Sequence, residues 1–334
     1  MKTENLKREN SILARLKQSD ILLLAGALIA LCIVVACLTP AFLTERNIMN
    51  TLRQVSLTAI CGFGMTMIIL IGEIDLSVGS QQAIAGLVSV VIFNRTHSVA
   101  LAVLAALACG VLIGAVNGLL VTRLKLNSLI ATLGTMAIWR GLCMVLTGAV
   151  SIQAELPAFQ EFATGFVGPI PNAVVIAALL YLIVYYLLNH STFGRQIYAI
   201  GGNAEASRLS GLPVRRVKMT VYILGGVLSM LSGVLLASRM ASAQPTAGTG
   251  FEMLVIASVI LGGVSMAGGI GSIAGALMGL LILGVLQNGL TLLDVSSFWQ
   301  DISRGLLIIL AVYLDNVRKQ SIAKRLIKEQ QKQE

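Results

Sequence analysis

About ten apolar runs, each close to the length a helix needs to cross a bilayer, constrain this chain more than any other feature; about 20 residues are required. They fall near 21–39, 52–71, 77–93, 99–121, 128–148, 172–189, 219–240, 253–267, 271–290 and 299–315. In hydrocarbon each backbone donor and acceptor must be satisfied internally, which makes runs of this kind helices. The expected fold class is therefore all-α, a polytopic helical membrane protein with about ten transmembrane helices. Of the 334 residues, 56% are hydrophobic and 12% charged, against about 25% charged in soluble domains. Periodicity does not fix the ends of the runs, because nearly every face is apolar.

Charge sets the orientation. Lys2, Lys7, Arg8, Arg15 and Lys17 precede the first run, and Arg123 and Lys125 follow the fourth. Arg195, Arg208, Arg215, Arg216 and Lys218 lie between the sixth and seventh, and Arg318, Lys319, Lys324, Arg325, Lys328 and Lys332 follow the last. Ten crossings bring all four clusters to one side, which positive-inside bias makes the cytoplasm, with both termini there. The net charge of +9 is thereby accounted for without a nucleic-acid partner. The segment Gly148 to Asn172 carries Glu155 and Glu161, no Lys or Arg, and Pro157, Pro169 and Pro171, so it is expected outside. No small-residue cleavage site follows the first run, which reads as a retained anchor.

Residues 190–218 form a polar, basic loop between two spans, and within it Glu205-Ala206-Ser207 leads through Arg208 to Gly211. This is the pattern of a short amphipathic helix stopped by glycine. A handle of this kind lets a soluble cytoplasmic partner grip the membrane helices, so the chain is expected to be the membrane half of a driven machine. Small residues at i, i+4 and i+8 recur in Gly110, Gly114 and Gly118, in Gly225, Ser229 and Gly233, and in Gly271, Gly275 and Gly279. In lipid, such faces bring helix backbones together, and contacts within the chain are the expected use. A faint duplication relates Gly79-Ser80, Asn117-Gly118 and Arg140-Gly141 to Gly271-Ser272, Asn288-Gly289 and Arg304-Gly305.

Polar groups enter the membrane at two places. Ile71-Gly72-Glu73-Ile74-Asp75-Leu76-Ser77-Val78-Gly79-Ser80 interrupts two apolar runs. It reads equally as an unwound segment buried at membrane depth or as a short cytoplasmic turn in which Asp75 or Ser77 caps the next helix. The second, from Ala241 to Glu252, includes Gln244, Thr246 and Thr249 and is expected outside. It suits contact with a partner or a vestibule for a hydroxyl-rich solute, and otherwise an ordered glycine turn. Asp75, Ser77, Gln244, Thr246, Thr249, Glu252, Asn117 and Asn288 are thus the candidate pathway or gate residues. Arg140 and Arg304 are expected to pair with Glu73, Asp75 or Asp301, Asn117 and Asn288 to hydrogen-bond across helices, and Trp139 and Trp299 to mark interfaces or core.

The usual chemistries have no residues to support them. There is no G-x-x-x-x-G-K-[S/T] phosphate loop, so a nucleotide would be handled by a partner. Gly269-x-Gly271-x-x-Ala274 imitates a dinucleotide fingerprint but lacks its strand–turn–helix setting. His97 and His190 have no second ligand nearby to build a metal site. Cys32, Cys37, Cys61, Cys109 and Cys143 fall within apolar runs without a C-x-x-C pair and read as small core residues. No nucleophile with its base is recognisable, so no enzyme activity and no bound cofactor are expected of this chain.

Met65-Thr66 and Ile68-Ile69-Leu70 lead into Ile74-Asp75-Leu76-Ser77-Val78-Gly79-Ser80. Together with Tyr198-Ala199-Ile200-Gly201-Gly202-Asn203, Ala206-Ser207-Arg208-Leu209-Ser210-Gly211, Ser242 to Gly250, Leu261-Gly262-Gly263 and Ala267-Gly268-Gly269, this set closely resembles the permease subunits of ribose-type monosaccharide ABC importers. The resemblance runs from about Leu38 to Asn316. It implies the ABC importer permease fold in a bacterial inner membrane, with a second permease copy (homodimer or paralogue) enclosing the pathway. It also implies a periplasmic sugar-binding protein outside and a cytoplasmic ABC ATPase inside, the ATPase carrying the ATP-Mg. The family's coupling pattern E-A-A-x-x-x-G is met with Ser207 in place of the second Ala, which makes Gly202, Asn203, Glu205, Ala206, Ser207, Arg208 and Gly211 the expected ATPase-coupling loop. The implied domains are a cytoplasmic segment 1–20, a permease domain 21–315 and a cytoplasmic tail 316–334. Ribose is the first choice of sugar, with xylose, arabinose, galactose, rhamnose or a sugar-like signal behind it. The rival expectation is an ion-coupled secondary transporter using Glu73 and Asp75.

Overall fold

The structure, a computed structural model, describes residues 21–306 together with 309, 310 and 313. The segment 1–20, the tail 316–334 and most of the expected last run beyond 306 lie outside the described residues.

Helices α1 (Ile21–Leu38), α2 (Glu45–Leu70), α3 (Val78–Thr96), α4 (Val99–Thr122) and α5 (Ser128–Thr147) follow in order. After them come α6 (Pro157–Thr164), α7 (Asn172–His190), α8 (Thr192–Gly202), α9 (Ala204–Leu209), α10 (Val214–Met240), α11 (Phe251–Leu261) and α12 (Ile273–Leu292). A last helical stretch, α13, covers 297–306. Among the described residues, seven helices (α1, α2, α4, α5, α7, α10 and α12) are both long and apolar enough to cross a membrane. Helix α3, the shorter α11 and the described part of α13 fall in the other three expected runs, so the helix count approximates the ten expected. The short pieces α6, α8 and α9 belong to the connections.

Polar residues start the helices. Asn127 accepts from the backbone N–H of Leu129 at 3.0 Å, Ser191 from Gly194 at 3.0 Å, Asn203 from Ala206 at 2.9 Å and Ser272 from Gly275 at 3.0 Å. Each satisfies an N–H that has no partner inside its own helix.

Helices α2 and α10 lie innermost, and α2 is buried almost without interruption from Val55 to Leu70. The small residues are used inside the chain. Gly110 and Gly114 of α4 meet the backbone of α10 at Gly226 and Tyr222, Gly225 meets Gly64 of α2, and Gly275 and Gly279 of α12 meet Gly262 and Ser258. A side chain at Gly114 would overlap the α10 backbone, which no rotamer relieves. Without a hydrophobic drive between helices in lipid, van der Waals contact of this closeness holds them together.

Two segments depart from full spans. Helix α11 has 11 residues, about 16 Å of rise, roughly half the ≈ 30 Å hydrocarbon thickness. The expected run 253–267 is therefore shortened: the helix stops at Leu261 because Gly263 turns to φ +85°, a conformation glycine adopts freely. The preceding turn makes up the missing depth. Ala243 lies beside Gly86 and Gly248 beside Gly79, so the turn descends along α3 by seven helical residues, about 10 Å. At its upper end Ile152–Gln153 (β1) pairs antiparallel with Ser242–Ala243 (β4), Ile152 opposite Ala243. A second small hairpin joins Phe166–Val167 (β2) to Ile170–Pro171 (β3). The segment 148–172 and the descending turn thus share one end of the bundle.

Candidate functional site: a polar cavity and the polar segments around it

Between α2, α3, α10, α11, α12 and α13 lies an open cavity of ≈ 330 Å³. Polar side chains reach it from several elements: Gln54 and Thr58 from α2, Gln82 from α3, Arg239 from α10, Thr249 from the descending turn, Gln287 from α12 and Arg304 from α13. The backbone of Gly248 and Gly250 completes part of its wall.

The orientation of one amide is determined by its surroundings. Ser232 Oγ donates to the Leu57 carbonyl at 2.8 Å. With its proton committed there, it accepts from Gln82 Nε2 at 2.8 Å. The Gln82 carbonyl oxygen is therefore the free end, and it has no partner although the residue is 2% exposed. On the facing helix Gln287 Nε2 is likewise buried without a partner, in a residue 9% exposed. Two residues of the cavity lining thus carry a buried unpaired acceptor and a buried unpaired donor, each costing about 1–3 kcal/mol.

The segment between α2 and α3 is non-helical from Ile71 to Ser77 and combines features of both forms its sequence allowed: Asp75 accepts the Ser77 N–H at the start of α3, and the segment is buried from Asp75 on while Gly72 is exposed. Asp75 is fully buried. Its Oδ1 accepts from Ser77 N at 2.8 Å and Ser77 Oγ at 2.6 Å, and its Oδ2 from Gln81 Nε2 at 3.3 Å and Asn117 Nδ2 at 3.2 Å. Ser77 Oγ also receives both amides, from Gln81 at 2.8 Å and Asn117 at 2.9 Å. Asp75, Ser77, Gln81 and Asn117 therefore form one network that ties the segment to α3 and α4. Glu73 forms an ion pair with Lys218 of α10, and Tyr222 one turn on donates to the Ile74 carbonyl at 3.4 Å. From α5, Ser128 Oγ accepts from Ile74 N at 3.3 Å and Thr132 Oγ1 from Leu76 N at 3.0 Å.

Arg140 departs from expectation. Its partners are the carbonyls of Pro245 at 2.7 Å and Ala247 at 2.6 Å, in place of Glu73 or Asp75. The reason is position: those carboxylates lie near Thr132 and Lys218, while Arg140 is about 12 Å further along α5, level with the descending turn. Arg304 pairs with Asp301 at 2.9 Å, as its spacing indicates.

The other sequence candidates distribute as follows. Thr249 lines the cavity and donates to the Thr246 carbonyl at 2.8 Å, while Thr246 itself is exposed. Gln244 borders a small crevice beside Gly86 and Gly233. The Glu252 carboxylate lies against Gly79 at the start of α11. Asn117 belongs to the Asp75 network, whereas Asn288 exchanges two hydrogen bonds with Asn47, at 3.0 and 2.8 Å; the two asparagines do not share a site. Trp139 packs against the core around Ala83 and Met230, and Trp299 is exposed. Sequence reasoning passed over Gln54, Gln82, Gln287 and Arg239. The doublet Gln81-Gln82 and the lone Gln287, each within an apolar helix, were the available signals.

The loop expected to couple to a partner is built as a compact unit. Asn203 caps α9, Gly211 ends it with φ +83°, and Ser207 is buried beneath it. Glu205 and Arg208 pair on its exposed face at 2.5 Å, and the Arg208 guanidinium holds the Glu205 carboxyl below the usual carboxylate range. Helix α8 fastens this unit to the bundle. Gly201 packs on the Leu70 carbonyl and on Gly269, Gly269 N donates to the Leu70 carbonyl at 2.9 Å, and the Tyr198 hydroxyl donates to the Gly271 carbonyl at 3.2 Å. The glycine-rich stretch from Gly262 to Gly271 is thus the bed on which the loop rests.

Residues 47–312 match the family described as branched-chain amino acid transport system / permease component. The chain is similar to the ribose import permease protein of Escherichia coli, 45% identical over 297 residues, covering 88% of this chain and 92% of that protein. Its identity to the ribose import permease protein of Bacillus subtilis is 44% over 327 residues, 96% of this chain and all of the other. The L-arabinose transport system permease protein of Escherichia coli is 41% identical over 290 residues, 86% of this chain and 87% of its own length. No solved structure matches. With most of its length matched by the family and by full-length relatives, and with its helices arranged around a polar cavity, this chain belongs to the family of membrane permease components of transport systems.

Proposed function

We propose that this chain is the membrane-spanning subunit of an ATP-driven monosaccharide importer of a bacterial inner membrane, with ribose as first choice of substrate and arabinose behind it. The cavity lined by Gln54, Thr58, Gln82, Arg239, Thr249, Gln287 and Arg304 is the observation that carries this reading. At ≈ 330 Å³ it falls in the size range of small-molecule sites, about 300–1,000 Å³, and its polar lining suits a neutral, hydroxyl-rich solute. The relatives named for ribose and arabinose import support the sugar class.

A polar recess open to one side does not face hydrocarbon. A second permease copy, identical or paralogous, completes its wall. Energy enters at the loop of α8 and α9: a cytoplasmic ATPase holding ATP-Mg grips Gly202, Asn203, Glu205, Ala206, Ser207, Arg208 and Gly211, and its closure moves the bundle between outward and inward openings. A periplasmic sugar-binding protein delivers the substrate to the end carrying 148–172. Both termini lie in the cytoplasm. The geometry favours this reading over ion coupling, because Glu73 is paired with Lys218 and the Asp75 carboxylate already has four donors.

The test is uptake of labelled ribose by proteoliposomes containing this chain, its ATPase and its binding protein. Uptake that requires ATP and survives an ionophore is expected. Uptake by this chain alone, driven by a proton or sodium gradient, overturns the proposal.

A further inference from the structure

Helix α5 is held in the bundle in an unusual way. Its buried residues are Ser128, Ala131, Thr132, Thr135 and Cys143, while Ile130, Ile138, Val145 and Leu146 are exposed. At one end Ser128 and Thr132 take the backbone N–H groups of Ile74 and Leu76. At the other, Arg140 takes the carbonyls of Pro245 and Ala247. The first attachment is to the unwound segment whose Glu73 is paired with Lys218, one turn into the helix that follows α9. The second is to the descending turn that supplies Gly248 and Thr249 to the cavity wall. Both attachments are to irregular backbone, and the side chains of α5 add to the hold that α3, α4 and α10 have on the first and that α3 and β1 have on the second.

We infer that α5 is a strut that couples the α2–α3 segment, next to the ATPase-facing loop, to the turn that walls the sugar cavity, with Thr132 and Arg140 as its positioning residues. This rests on the importer reading above and adds a specific mechanical link to it. Eight residues separate Thr132 from Arg140, about 12 Å along a rigid helix, so α5 carries a displacement of Ile74–Leu76 to Pro245–Ala247 beside the direct Gly79–Gly248 contact of α3 and without passing through the tightly packed α2–α10 core. The strut serves coupling; neither residue is among those that line the cavity.

A link in series makes a definite prediction, and coupling between distant residues is established by a double-mutant cycle. Thr132→Val and Arg140→Gln are made singly and together in the complete importer, reconstituted with its ATPase and binding protein. Ribose delivered per ATP hydrolysed is read for equal amounts of inserted protein. Each single change is expected to lower that ratio about tenfold, within the ~5–150-fold range usual for coupling between sites. The double variant is expected to match the worse single one, because a strut detached at one end transmits nothing more when detached at the other. Thr132→Ser, which keeps the hydroxyl, is expected to behave as the unaltered protein.

Losses that multiply to about a hundredfold, as independent sites more than ~10 Å apart give, overturn the inference. So do singles with an unchanged ratio, and a Thr132→Ser variant as impaired as Thr132→Val. If the unaltered importer delivers no sugar with ATP, the importer reading fails first and takes the strut with it.

Discussion

Replacing Asp75 separates a structural lock from an ion site. In Asp75→Ala the carboxylate that accepts four donors is removed. Two of those donors, the amides of Gln81 and Asn117, retain Ser77 Oγ at 2.8 and 2.9 Å. The Ser77 N–H and the Ser77 hydroxyl are left bare in a fully buried setting. At about 1–3 kcal/mol for each buried orphan, the loss is about 2–6 kcal/mol, at the lower end if the hydroxyl turns to the unpartnered Gln81 Oε1. Asp75→Asn is different: the new amide oxygen keeps both Ser77 donors, the amides of Gln81 and Asn117 stay on Ser77 Oγ, and the two longer bonds to Oδ2 are lost. One buried NH₂ is left without an acceptor, at about 1–3 kcal/mol, against two orphans in the alanine variant. The assay is thermal stability of the purified chain in detergent beside ribose uptake in the reconstituted importer. The alanine variant is expected to melt well below the asparagine one, and the asparagine variant to transport at close to the normal rate. Abolished uptake in Asp75→Asn with undiminished stability would refute the lock and point to a carboxylate that binds an ion.

Three shorter predictions follow from other parts of the molecule. Gly114→Leu drives a side chain into the α10 backbone and is expected to cost more than ~3 kcal/mol, at the upper end of the overpacking range, read as loss of folded protein on size-exclusion chromatography, whereas Gly134→Leu, with open space around it, is expected to be silent. Gln82→Leu and Gln287→Leu each remove a polar side chain of the cavity lining; uptake is expected to fall by about tenfold, or ~1.4 kcal/mol, with stability unchanged or raised in Gln287→Leu and lowered by about 1 kcal/mol in Gln82→Leu, which also gives up the bond to Ser232. Lys218→Glu strands two carboxylates at the site of the Glu73 pair and is expected to depress uptake at least tenfold, and combining it with Glu73→Lys is expected to restore most of it, which an uptake assay on the single and exchanged pairs decides.

The apolar runs, the break in helix before α3 and the small helix ended by Gly211 were legible because each has a local cause: length of the apolar run, Gly72 with the polar residues after it, and a terminal glycine. The close α4–α10 approach was legible from the four-residue spacing of small residues. The half-length of α11 was not, since Gly262 and Gly263 sit inside an apolar run that continues through Val264, and apolar composition carries no information on depth. Nor were the partners of Arg140, because backbone carbonyls are present at every position and only the descent of 241–250 along α3 brings two of them into reach. Gln82 was hidden for a related reason. Its importance depends on Ser232 and Leu57, distant in sequence, which together dictate that its oxygen and not its nitrogen is left free.

The central claim is that the cavity beside Gln82 is the passage and that a cytoplasmic ATPase opens and closes it. It is tested most directly by placing a single cysteine there, Gln82→Cys in a background with the five native cysteines replaced, and measuring its reaction with a membrane-impermeant thiol reagent added from the periplasmic side. The account predicts a labelling rate that changes at least about tenfold, roughly 1.4 kcal/mol in accessibility, between nucleotide-free and ATP-trapped complexes, with protection by ribose. A rate indifferent to both nucleotide and sugar, in a complex that still imports ribose, would contradict it.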